Sequence, residues 1–119
     1  MKVYKLNIRY IIAKNRTRKD SRAPIMCRIT FLKKRKLIAT GQFINPTNWH
    51  SKQQLVKPPE PDAELINSHL SLIRTKLNQA FLFLQVKGST FTVNDIYIQY
   101  KGETVRLLSI IDFSVFIYP

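Results

Sequence analysis

A chain of 119 residues has room for one domain and little more. Its 45% apolar and 11% aromatic residues can build a core, which excludes a disordered tail or linker. Twenty Lys and Arg against seven Asp and Glu leave a formal net charge of +13, and self-repulsion on that scale opposes compaction unless a polyanion or an anionic surface neutralises it. The excess is local: residues 1–36 hold 13 basic residues against Asp20 alone, whereas residues 37–119 hold seven against six acids. Such asymmetry predicts one polyanion-binding surface rather than general solubility.

Residues 3–12, VYKLNIRYII, alternate. Tyr4, Leu6, Ile8, Tyr10 and Ile12 share one face, and Lys5, Asn7 and Arg9 share the other, which predicts a half-buried strand. A basic loop, AKNRTRKDSRA, follows and is closed by Pro24. PIMCRITFL then places Ile25, Cys27, Ile29 and Phe31 on one face and Arg28 and Thr30 on the other. A third run, RKLIATGQF, ends near Gly41. Three strands with short connections predict an antiparallel meander within residues 2–43.

Residues 44–61 read as a linker, with turn residues around Trp49 and a Pro-rich break at 58–61. Trp49 either seals the edge of the core or stacks on a base. Pro61-Asp62 suits a helix entry with Asp62 as N-cap. Over 62–87, Ile66, Leu70, Ile73, Leu77, Phe81 and Leu84 recur at steps of three and four, the mark of an amphipathic helix; Gly88 stops it. That stripe either packs on the sheet or forms a coiled-coil seam. In the connecting element at 89–106, FTVNDIYIQYKG reads as a short helix from near Thr92, with Asp95 at the capping-box position, or else as a strand. The expected fold is α+β: a three-stranded antiparallel sheet packed on one long helix, then a short helix and an apolar tail. One sheet has only one face for the helix to cover, so the other is left to solvent or a partner.

Several kinds of chemistry lack their residues. The three glycines are scattered, so no phosphate-cradling loop exists, and His50 and His69 have no second ligand at metal-binding spacing. No paired carboxylates and no Ser-His-Asp arrangement can be assembled. No catalysis, metal, cofactor or small-molecule substrate is expected. The lone Cys27 reads as a buried hydrophobe in a reducing compartment. Lys5 and Arg9 interrupt any secretory apolar run, and LLSIIDFSVFIYP is too short to span a bilayer; a cytoplasmic protein without membrane association is expected.

The basic surface fits duplex DNA. A β-ribbon can enter the major groove, where Arg28, Thr30 and Arg35, with Asn7 and Arg9 on the same face, would meet base edges. Lys5, Arg16, Arg18, Lys19, Arg22, Lys33, Lys34 and Lys36 would reach phosphates, which set affinity and register while base contacts set sequence choice.

SRAPIMCRITF, KRKLIATGQFINPTNWHSKQQLVK, AELINSHLSLIRTKL and FTVNDI, in this order and spacing, resemble the N-terminal arm-type DNA-binding domain of tyrosine site-specific recombinases, with integrases of conjugative transposons and related mobile elements the nearest likeness. The resemblance covers roughly residues 2–102, with 1–88 as the arm domain proper. It implies a three-stranded sheet on a helix, inserted into the major groove of arm-type sites away from the crossover point. It also implies partners: double-stranded DNA and other recombinase protomers. Where the family has an Asn-Gly hairpin turn, this chain has Leu32-Lys33, which lacks the usual φ > 0 residues. A longer hairpin is therefore the expectation, and the register of Arg35 against Arg28 stays open. Complete recombinases of the family continue into a core-binding domain and a catalytic domain with Arg, His and a nucleophilic Tyr. Residues 107–119 resemble the start of the core-binding domain, which implies a truncated, non-catalytic portion.

Two other readings stand beside this one. The basic sheet could bind RNA, although RNA readers stack bases on sheet-face aromatics, whereas Tyr4, Tyr10 and Phe31 have inward parity. Alternatively, the 63–86 helix and the tail could form a protein–protein assembly module.

Overall fold

A computed structural model describes residues 5–88 and 90–102. Tyr4 and residues 107–119, read above as the start of a core-binding domain, lie outside the described residues.

Three strands, β1 (Asn7–Ile12), β2 (Ala23–Phe31) and β3 (Lys34–Ile44), form an antiparallel sheet in the order β1-β2-β3. The alternation read from the sequence sets the register. Tyr10 faces Cys27, which faces Ile38, on the inner side, while Arg9 faces Arg28 on the outer side. Ile25, Cys27 and Ile29 on the central strand are wholly buried.

The β2–β3 hairpin differs from expectation. Phe31 pairs with Lys34, so the loop is only Leu32 and Lys33, and both residues adopt positive φ, 51° and 67°. Positive φ at both central positions suits the right-handed twist of the flanking strands. Non-glycine residues hold it here because the strands on either side, each closed by long ladders, leave no slack for a longer turn. Arg35 is thereby placed opposite Thr30, on the face of Arg28. A second difference lies at Gly41. Rather than ending the strand, Gly41 takes φ 81° where the register shifts between Pro24 and Met26, and β3 continues to Ile44. A Gly at positive φ permits such a bulge. The Thr40 hydroxyl donates to Ile25 O (2.7 Å) and accepts from Gln42 N–H (3.2 Å), so the irregular stretch keeps its hydrogen bonds.

Helix α1 (Ala63–Lys87) covers the inner face, burying Ile66, Leu70, Ile73, Leu77, Ala80 and Leu84. The apolar stripe thus packs on the sheet, with Phe81 partly buried beside it. Asp62 occupies the N-cap position but caps nothing: its φ is 60° and its side chain makes no capping hydrogen bond. Gly88, at φ 83°, ends the helix and donates its N–H to Gln85 O. Residues 93–102 form a second helix, α2. Thr92 N–H donates to Asp95 Oδ2 (2.8 Å) and Asp95 N–H donates to Thr92 Oγ1 (3.2 Å), the reciprocal bonds of a capping box. Phe31, Phe81 and Phe91 form a ring cluster with centroids 5.0–5.9 Å apart, which joins the hairpin end of the sheet to α1 and to the entry of α2.

The 44–61 segment contains more structure than turn residues alone. Pro46–Asn48 makes a 3-10 turn, and β4 (Trp49–His50) pairs with β5 (Leu55–Val56). Trp49 is half-buried against the core. The Asn67 side chain locks β5 to α1 by accepting from Val56 N–H (2.8 Å) and donating to Val56 O (2.9 Å). Gln54 does the same at the free edge of β1, accepting from Tyr10 N–H (2.6 Å) and donating to Tyr10 O (3.1 Å). An open strand edge is a site for unwanted pairing; Gln54 closes it with a side chain. Tyr10 also donates its hydroxyl to Leu70 O in the core.

Candidate nucleic-acid interface

The outer face of the sheet can be read as rows across the three strands. Asn7, Thr30 and Arg35 form the row nearest the hairpin, Arg9, Arg28 and Leu37 the next, and Ile11, Met26 and Ala39 the third. The five residues expected at base edges therefore share one face in two adjacent rows. Arg9 and Arg28 stand directly opposite each other. Like charges so placed destabilise a sheet, and neither has an acidic partner among the described residues. Arg9 donates one hydrogen bond, to Ser51 Oγ at 3.0 Å. Arg28 and Arg35 make no hydrogen bond or ion pair among the described residues. A guanidinium left open in this way keeps its donor fork for an outside acceptor.

The residues expected at phosphates divide into two groups. Lys5, Arg16, Lys19, Lys33 and Lys34 are exposed; Lys33 and Lys34 mark the hairpin tip, and Arg16 and Lys19 lie in the β1–β2 loop. Arg18, Arg22 and Lys36 are already engaged. The Arg18 guanidinium lies 4.0 Å from the Phe43 ring and 3.7 Å from Asp20. Arg22 donates to Phe43 O (2.8 Å) and to Glu60 (3.4 Å). Lys36 of β3 pairs with Ile29 of β2, on the helix side of the sheet, and its ammonium sits 4.5 Å from the Tyr97 ring of α2.

Glu60 explains why Arg22 is held. This carboxylate is 6% exposed and accepts from Asn45 N–H (2.6 Å), from Asn48 Nδ2 (3.2 Å) and from Arg22. A buried carboxylate needs such partners, and Arg22 supplies the charge. Arg18 N–H donates to Arg22 O and Ser21 N–H donates to Arg18 O. The β1–β2 loop is thereby folded back on itself with Lys14, Arg16 and Lys19 pointing outward.

Cys27 and Tyr10 are buried in the core, on the side of the sheet away from the outer face. Burial pushes the Cys27 thiol up to about 12, against a smaller opposing effect of Arg74, so it stays protonated at neutral pH. Burial likewise raises Tyr10. Among the described residues no three His, Cys, Asp or Glu side chains group as a metal site, and no helix is long and apolar enough to cross a membrane.

Sequence reasoning passed over Leu37 and the row of Ile11, Met26 and Ala39, which complete the outer face. Strand parity carries the signal for Leu37, two residues beyond Arg35, once the two-residue turn is known. Ser51 came from a segment read as linker and had no signal.

No characterised protein and no solved structure gives a significant match. The family model described as Arm DNA-binding domain matches residues 10–97, which takes in the second half of β1, all of β2 and β3, β4–β5, α1 and half of α2. That span carries Arg28, Thr30, Arg35 and Leu37 of the outer face, with Asn7 and Arg9 just before it, on a fold with a non-catalytic, DNA-binding role in integrases, and the chain accordingly belongs to the arm DNA-binding domain family.

Proposed function

We propose that this domain reads sequence in duplex DNA by laying the outer face of its sheet in the major groove, as the arm-site-holding module of a tyrosine recombinase from a mobile element. The observation that carries this reading is the Arg9–Arg28–Arg35 cluster, which has no acidic partner among the described residues. Arg28 and Arg35 take guanine O6 and N7, Asn7 and Thr30 add polar contacts in the same row, and Arg9 lies beside Arg28. Lys5, Arg16, Lys19, Lys33 and Lys34 contact phosphates on either side and set the register. Phosphate contacts alone would hold any duplex; each bidentate Arg–guanine pair adds roughly 1–3 kcal/mol of discrimination. The domain cuts nothing itself, and its place in recombination is to hold arm sites for the assembling complex in the cytoplasm.

The alternative of RNA binding has less support. The strand aromatics Tyr10 and Phe31 are buried in the core and unavailable for stacking. A protein contact has one observation in its favour: Leu65, Leu72, Leu82, Phe83 and Val86 are exposed on the outer side of α1.

Selection from a pool of randomised duplexes tests the reading. Anisotropy titrations of the selected duplex, a scrambled duplex and a structured RNA, each at several salt concentrations, should then show tighter binding to the selected duplex and a steep salt slope. Equal, weak binding to all three would leave only a basic surface.

A further inference from the structure

The outer face changes character along its strands, and the change falls where a recognition surface has least reason for it. The row by the hairpin, Asn7–Thr30–Arg35, is wholly polar; the third, Ile11–Met26–Ala39, is wholly apolar. Between them Leu37 stands directly opposite Arg28, 51% exposed to water in the middle of a charged face. A shallow groove runs there, lined by Ile11, Arg28, Arg35, Lys36 and Leu37. Phosphates gain nothing from a leucine, and a helix covers the sheet only on its other side. A groove with an apolar floor beside guanidinium donors matches one thing in the major groove: a pyrimidine C5-methyl group next to the acceptor edge of guanine.

We propose that this groove takes the C5-methyl of a pyrimidine, in thymine or 5-methylcytosine, and so reads a methyl beside the guanine held by Arg28 or Arg35. This inference rests on the major-groove reading above. Leu37 and Arg35 are two residues apart on one face, about 6.6–6.8 Å along the strand, and stacked bases rise about 3.4 Å per pair. The methyl therefore lies within about two base pairs of the guanine. Leu37 and Ile11 would cover it, and the C5–H edge of unmethylated cytosine would leave the groove part empty.

Uracil tests this cleanly, because it lacks the methyl and keeps every hydrogen bond of thymine. In the selected duplex each thymine is replaced singly by uracil, and the same duplexes are titrated with wild type and with Leu37→Ala. Leu37 is exposed, so the variant should keep its fold, which circular dichroism checks. At one or two positions within two base pairs of a guanine, uracil should weaken wild-type binding about fourfold, the effect of one buried methyl. With Leu37→Ala the same swap should shift binding less than twofold. Where the selected site carries cytosine at that place, C5 methylation should tighten wild-type binding by the same factor, and this arm separates the two sources of the methyl. If the duplex is preferred but no uracil or methyl swap matters, or if Leu37→Ala leaves the penalty intact, the methyl groove is overturned and the major-groove reading stands. If no duplex is preferred at all, both fall.

Discussion

Two pairs of arginines from the same basic third of the chain have opposite surroundings. Arg28 and Arg35 stand on the outer face of the sheet with no hydrogen bond or ion pair among the described residues. Arg18 and Arg22, a few residues upstream, are held by an aromatic ring, a backbone carbonyl and two carboxylates. Identical side chains with identical charge thus divide into one pair available to a partner and another that supports the scaffold. Charge counting along a sequence cannot make that division, because it depends on which acids and carbonyls the fold brings near.

The largest effect should come from breaking the supporting side. Glu60→Ala strands Asn45 N–H and removes the partner of Arg22, so urea unfolding followed by Trp49 fluorescence should show a loss of about 2–3 kcal/mol. A loss below about 0.5 kcal/mol would mean that Glu60 is not what holds Arg22. Next comes the contrast itself. Arg28→Ala should weaken the selected duplex roughly ten- to hundredfold with the melting temperature unchanged. Arg22→Ala should instead lower stability by about 1 kcal/mol and weaken DNA only as far as the loop is disturbed. Equal losses of affinity, with no loss of stability in either variant, would erase the distinction.

A smaller effect is expected at the turn that places Arg35. Leu32 and Lys33 both sit at positive φ, where a non-glycine residue carries a penalty of roughly 1–2 kcal/mol. Replacing the pair by Asn-Gly should therefore stabilise the domain by about 1 kcal/mol with the sequence preference intact; a changed preference would show that the turn does more than set register. The smallest effect belongs to the free loop cations. Lys19→Ala should reduce the slope of log K against log salt by about 0.9, equally for selected and scrambled duplexes, in a salt series read by anisotropy.

Much of the architecture was legible because it rests on local periodicity. Alternation in β1 and β2 separated Tyr10, Cys27 and Ile29 from Arg9 and Arg28, and the three-four spacing from Ile66 to Leu84 marked the buried side of α1. The Thr92–Asp95 capping box was readable for the same reason, since both partners lie within one turn. Features that depend on distant partners were not. Leu32-Lys33 forms a two-residue turn against its own preference because paired strands close it from both sides. The 44–61 segment gained β4 and β5 from anchors at Glu60, Asn67 and Tyr10, each remote in sequence from at least one group it binds.

The sequence by itself determined that a basic, half-buried antiparallel sheet would be covered on one side by a long helix, because charge, alternation and helical spacing are written residue by residue. Only the tertiary structure decided which cations remain open and how the outer face is ordered. The turn at Leu32-Lys33 fixes Arg35 and Leu37 beside Arg28, while Glu60, Phe43 and Tyr97 take up Arg22, Arg18 and Lys36. The physical reason is that a side chain's availability depends on the neighbours within a few ångströms of it, and those neighbours come from segments far away along the chain.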